Sequence, residues 1–214
     1  MKQLDYITIL GNGQTLTRCP EKKIENGEYW GCNNTYKKVK VELDKLFIMH
    51  DLYSTQYNKE KNLIKEINEK SFPVYTLGKY AELKNGVQYP MKKIIKEFKV
   101  AYFLNNISYM LALAILQKPK CIGMFGVDMS FGTNVEYMQN EKACIEFWLG
   151  LATGRGIEIH IPQQSTVMKR QKYSAFYGMT VKKEGNGLLL TPEYMWGREK
   201  CAKKYQIVKK GNAF

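Results

Sequence analysis

Residue types suited to holding a nucleotide recur in this chain immediately after short apolar runs. Gly11-Asn12-Gly13 follows the run 7–10, Asn33-Asn34 follows 29–32, His50-Asp51 follows 45–49, and Asp128 follows 121–125 through Gly126-Val127. Asn106 and Ser108 stand where a strongly apolar stretch begins. A glycine-rich turn at the end of a buried strand leaves backbone N–H groups unhindered, and a helix N-terminus favours an anion. Asparagine offers both a donor and an acceptor, which suits a base or a ribose. The stretch 11–16 is not the full dinucleotide fingerprint, because Leu16 takes the place of its third glycine. Each residue also has a plainer reading. The glycines and asparagines can simply make turns, Ser108 can cap a helix, and Asp128 can bind amides of its own loop.

Groups able to move a proton are few. His50 beside Asp51 is a candidate acid, base or ligand, although one such pair falls short of a metal site. Glu136 and Tyr137, in the segment 132–138, join a carboxylate to a phenol and so a base to an orienting donor. His160 lies inside an expected buried strand and reads as a core residue. Phe131, Tyr173, Phe176 and Tyr177 are candidates for stacking on a base or sugar, or for ordinary packing. Cys19, Cys32, Cys121, Cys144 and Cys201 are scattered, with no Cys-x-x-Cys, which argues against zinc or a disulfide framework and for a reducing cytoplasm.

Strands alternating with helices would carry these residues. Strands are expected at 7–10, 29–32, 45–49, 72–77, 121–125 and 157–161, the first of them buried on both faces because it is continuously apolar. Helices are expected at 57–70, 108–116 and 140–153, the second capped by Asn106 or Ser108 and the third closed by Gly154-Arg155-Gly156. Residues 79–100, with Pro90 and a basic stretch 92–96, read as a connection. The pattern implies an α/β, Rossmann-like, mostly parallel sheet with helices on both faces. It covers 1–162 as a nucleotide-binding domain. After Pro162 a basic appendage, 163–214, is expected to hold a hairpin of 177–181 and 187–191 around Gly185-Asn186-Gly187.

The charge balance bears on partners. Thirty-three Lys and Arg against twenty Asp and Glu leave +13, and 163–214 alone holds eleven basic residues against three acidic ones. Such a tail suits an anionic partner, either a nucleotide phosphate, DNA or another acidic acceptor, and it also suits a solvated basic surface. No apolar run approaches a membrane span, and the N-terminus lacks a signal-peptide pattern. A cytoplasmic protein is therefore expected, in the host cytoplasm if the chain is phage-encoded.

Four short segments occur in an informative order: Gly11-Asn12-Gly13-x-x-Leu16, Cys32-Asn33-x-x-Tyr36, Ser108-Tyr109-Met110-Leu111-Ala112-x-Ala114-Ile115 and Gly126-Val127-Asp128-Met129. Over residues 6–162 this order resembles the small bacterial sialyltransferases that use a CMP-linked sugar donor. It is also similar to the related Rossmann-like family of 6-hydroxymethylpterin diphosphokinase. The resemblance implies that Asn12 and Asn33 contact the nucleotide and that Ser108 meets the donor phosphate. It implies a base at Glu136, where that family has a histidine, and the family's Pro-Ser after the glycine turn is replaced by Gln14-Thr15. The function so implied is a nucleotide-dependent transferase, a glycosyltransferase with a nucleotide-sugar donor and no required metal. The Lys- and Asn-rich composition and compact size, apart from the resemblance, suggest a nucleotide or DNA base as its acceptor in a phage setting. Asp128 would position the acceptor or hold its loop, and homo-oligomers would be in keeping with the resemblance. Two alternatives stand beside it: an ATP- and Mg²⁺-dependent diphosphokinase with Asp51 and Asp128 on the metal, and a non-catalytic nucleotide- or nucleic-acid-binding protein.

Overall fold

The computed structural model describes residues 4–54, 63–129, 135–168, 179–184, 187–192 and 205–207. Seven strands form one sheet: β1 (Tyr6–Leu10), β2 (Gly27–Cys32), β3 (Lys45–Phe47), β4 (Val74–Thr76), β5 (Gly86–Gln88), β6 (Cys121–Phe125) and β7 (Glu158–His160). Their order is β5-β4-β3-β2-β1-β6-β7, and every pairing is parallel. Four helices accompany them: α1 (Leu63–Asn68), α2 (Met91–Phe98), α3 (Asn106–Gln117) and α4 (Val135–Gly154).

Alternation along the strands sends side chains to two apolar layers. Ile7, Ile9, Trp30, Phe47, Ile122 and Met124 point to the layer filled by α2, α3 and α4. Leu10, Tyr29, Leu46, Val74 and Phe125 point to the other, which Leu63 and Ile67 of α1 cover. Helices therefore lie on both faces, as the alternating pattern implies. α3 is buried from Asn106 to Ile115 except at Tyr109, which is partly buried, and this is why its sequence is apolar nearly all round. Trp148 of α4 is fully buried and its indole N–H donates to the carbonyl of Tyr102 at 2.8 Å.

Several boundaries differ from the sequence expectation, each for a physical reason. Residues 79–100 are not a bare connection but hold β5 and α2. β5 is an exposed three-residue edge strand without an apolar run to betray it. Pro90 is the N-cap of α2, a place where its missing N–H breaks no helical bond, and Ile94 and Phe98 then face inward. β7 is an edge strand, so His160 is exposed, 5.9 Å from the Phe125 ring, and is not a core residue. α4 starts at Val135, five residues before the expected 140, and Gly156, at φ +78°, follows its end. Of the expected helix 57–70, residues 63–68 are helical and 57–62 lie outside the described residues.

α3 begins two residues early, with Asn105 as its N-cap in place of Asn106 or Ser108. The Asn105 side chain accepts from Ser108 N–H at 2.9 Å, while the Ser108 hydroxyl donates to the Asn105 carbonyl at 2.6 Å. Removing this cap with Asn105→Ala is expected to lower stability by about 1 kcal/mol. Chemical denaturation reads the loss, and an unchanged midpoint would show that the cap is idle.

The chain divides into two compact units, Met1–Val167 and Met168–Phe214. In the second, β8 (Met179–Glu184) pairs antiparallel with β9 (Gly187–Pro192), and β9 with β10 (Tyr205–Ile207). The turn residues 185–186, with Tyr173, Phe176 and Tyr177, lie outside the described residues. Among the described residues no helix is long and apolar enough to cross a membrane.

Candidate functional site

In an all-parallel sheet the residues that follow the strands share one edge. The segments after β1, β2, β3 and β6 therefore gather at the carboxyl edge, as do the N-termini of α3, which leads back into β6, and of α4, which follows it. β1 lies between β2 and β6, so the strand order changes direction at β1, the place where open α/β sheets leave a crevice.

Gly11-Asn12-Gly13 lies against the turn after β6. Gly11 N–H donates to Phe125 O at 2.8 Å and Gly13 N–H to Gly126 O at 2.7 Å. A Cβ on Gly11 would lie 2.3 Å from the Gly126 carbonyl oxygen, and one on Gly126, at φ +69°, 2.4 Å from that of Gly11. The glycines here serve backbone-to-backbone approach. Asn12, at the tip, is exposed and has no hydrogen-bond partner among the described residues.

Asp128 is buried, and its carboxylate closes this turn. One oxygen accepts from Thr15 N–H at 2.7 Å, the other from the Thr15 hydroxyl at 2.5 Å. Gly126 N–H in turn donates to the Thr15 hydroxyl at 2.8 Å. Beyond β7, Ser165 Oγ donates to Val127 O at 2.8 Å and Thr166 Oγ1 donates to Asp128 O. Both carboxylate oxygens are thus engaged within the loop. Thr15 went unrecognised in the sequence. The only signal for it is a hydroxyl two residues past the glycine turn.

At the end of β2, Asn33 adopts φ +52° and donates its N–H to Phe47 O at 3.0 Å. Its side-chain oxygen accepts from Asn106 Nδ2 at 3.0 Å, and Asn106 Oδ1 accepts from Met49 N–H at 2.9 Å. Asn106 is 7% exposed, whereas Asn33 is only partly buried. The structure thus brings Asn33 and Asn106 together and joins them to the strand end that precedes His50. The neighbouring Cys32 is buried, which pushes its thiol up to about 11 against opposing pulls from Thr35 and Lys38. It stays a thiol at neutral pH and offers no nucleophile.

Other candidates are placed differently. Ser108, to which the resemblance gives a phosphate contact, is fully buried, and its hydroxyl donates to the Asn105 carbonyl in the helix cap. His50 is exposed after β3. Asp51 accepts from Tyr53 N–H at 3.0 Å and from Tyr80 OH at 3.1 Å, in a different loop from Asp128. The two carboxylates expected on Mg²⁺ therefore lie in separate loops, with both oxygens of Asp128 bonded to Thr15 and Oδ1 of Asp51 to Tyr53 and Tyr80. Among the described residues no three His, Cys, Asp or Glu side chains gather to hold a metal ion. Glu136 is exposed in the first turn of α4, at the same edge, and the Tyr137 side chain lies outside the described residues, as does Phe131.

No protein-family model matches the sequence, and no curated protein does. Among solved structures, the chain is similar to the sialyltransferase CstII from Campylobacter jejuni in complex with cytidine-5'-monophosphate, at 19% identity over 76% of this chain and 82% of that one, with a TM-score of 0.48. It is similar to the monofunctional α-2,3-sialyltransferase Cst-I from Campylobacter jejuni at 18% identity over 78% of each chain, with a TM-score of 0.47.

Proposed function

We propose that this chain is a nucleotide-dependent transferase, specifically a glycosyltransferase that takes a nucleotide-sugar donor at the carboxyl edge between β1 and β2. One observation carries the reading. Two asparagines, exposed Asn12 and partly buried Asn33, end adjacent parallel strands, Leu10 standing opposite Gly31 in register. Each presents polar atoms that nothing else among the described residues uses. The α3 N-terminus, reached through Asn106, adds backbone N–H groups and a dipole that favour a donor phosphate. The ordered sequence segments that resemble CMP-sugar-dependent enzymes support the same assignment of Asn12 and Asn33.

In the reaction an acceptor hydroxyl oxygen forms a bond to the anomeric carbon. The bond from that carbon to the nucleotide phosphate oxygen breaks, and the phosphate keeps the electron pair. Glu136 takes the acceptor proton. The +13 charge supports an acceptor that carries phosphate, such as a nucleotide or DNA, in which a sugar or a hydroxylated base supplies the hydroxyl, as in a phage modification enzyme.

Thermal melting of the protein with CMP, UDP, GDP and ATP and their common sugar conjugates, with and without Mg²⁺, tests the reading. Ligand at ~100 times its dissociation constant adds about 2.7 kcal/mol, or roughly 5–10 °C for a chain of this size. A metal-independent shift with one nucleotide class is the expected result. Glu136→Gln should keep that shift and lose turnover. No shift with any nucleotide would replace a transferase by a binding protein for another ligand, and a shift with ATP and Mg²⁺ alone would favour a diphosphokinase.

A further inference from the structure

The carboxamide of an asparagine can be turned either way, presenting its oxygen or its NH₂ group. At Asn106 that freedom is removed. Met49 N–H can only donate, so the atom facing it must be Asn106 Oδ1, at 2.9 Å. Asn106 Nδ2 then faces Asn33, and the atom it meets there must be an acceptor, Asn33 Oδ1, at 3.0 Å. Asn33 is itself fixed on the backbone side by its left-handed conformation and its N–H bond to Phe47 O. With Oδ1 committed, the Asn33 NH₂ group is left over, and no described residue accepts from it.

We infer that Asn106 is a positioning residue that locks Asn33 as a hydrogen-bond donor, so that the site reads an acceptor oxygen of the nucleotide and disfavours a donor there. This rests on the proposed nucleotide site. The polarity of the chosen contact originates in a backbone amide of β3's end and reaches the ligand through two side chains. The acceptor oxygen belongs either to the phosphate or to the nucleoside, and the two have the same hydrogen-bond chemistry.

The test uses the whole protein and titrates CMP and cytidine by calorimetry against wild type, Asn33→Ala, Asn106→Asp and the double variant. Aspartate at 106 still accepts from Met49 N–H but cannot donate to Asn33, which then turns its NH₂ inward and its oxygen outward. CMP affinity is expected to fall roughly tenfold or more in each single variant, and no further in the double. Loss with CMP but not with cytidine places the oxygen on the phosphate; loss with both places it on the nucleoside. Asn106→Asp that binds CMP as wild type does, or losses that simply add, would overturn the relay.

Side-chain amide exchange by NMR provides a readout without a ligand. In wild type the Asn106 NH₂ pair should exchange slowly and the Asn33 pair quickly, and Asn106→Asp should protect the Asn33 pair. The reverse pattern in wild type overturns the relay whether or not the variant folds. If wild type binds neither compound, the ligand half of the inference falls for a cytidine nucleotide, while the nucleotide reading stands or falls on the melting screen. The exchange pattern would still decide the relay itself.

Discussion

Asp128→Ala is expected to destabilise the protein by about 3 kcal/mol, lowering the melting temperature by roughly 6–12 °C. The carboxylate is buried at 4% exposure and accepts two hydrogen bonds from Thr15, both charge-assisted. Alanine removes both acceptors and leaves the Thr15 N–H, on a residue only 3% exposed, with nothing to replace them. The consequence spreads because Thr15 also receives Gly126 N–H, so one side chain holds the turn after β1 to the turn after β6. Asp128→Asn should fall between, since its oxygen can still accept from Thr15 N–H and its NH₂ group can donate to the Thr15 hydroxyl, but the charge that strengthens both bonds is lost. Nucleotide affinity should fall with stability, because Asn12 sits on the loop that loosens. A variant that melts within 2 °C of wild type yet loses turnover would instead make Asp128 an acid or base of the reaction.

Gly11→Ala is expected to be of similar size, about 3 kcal/mol, by the opposite route of overpacking. The new methyl would lie 2.3 Å from Gly126 O and 2.9 Å from Gly126 C, which are backbone atoms that cannot turn aside as a side chain would. Relief requires the β1 and β6 ends to separate, which stretches the 2.8 Å bond from Gly11 N–H to Phe125 O and the 2.7 Å bond from Gly13 N–H to Gly126 O. Gly150→Ala provides the control: a Cβ there meets nothing within 4 Å, and the site lies inside α4. That change should stabilise by roughly 0.5–1 kcal/mol through helix propensity. Urea denaturation of the two variants beside wild type measures both signs. Equal midpoints for Gly11→Ala and wild type would mean that the loops have room to give, and the close approach would lose its importance.

Much of the fold is legible in the chain because its signals are local. β6 occupies 121–125 as expected, since five consecutive apolar residues bounded by lysine and glycine admit little else. β1 and its glycine turn are equally plain, and so is the apolar α3. β5 gives no signal because a three-residue edge strand, exposed at Gly86 and Gln88 and only partly buried at Val87, buries too little to impose a pattern. α2 was masked by Pro90, which punctuates a helix start and a helix stop alike.

By itself the sequence determined an alternating α/β chain and the five polar strand ends and helix starts from which a site could be built. Periodicity and turn chemistry act over a few residues and need no knowledge of what lies alongside. How those polar groups are used depends on contacts between distant parts of the chain. Asp128 finds Thr15 across 113 residues, and Asn106 finds Asn33 across 73, because β1 lies between β2 and β6 and α3 returns to the same edge. The Ser108 hydroxyl donates to the carbonyl of Asn105, three residues earlier, in the cap that opens α3. A side chain's type sets what bonds it can make. Which bonds it has left for a ligand depends on strand order and burial, and those are properties of the whole fold.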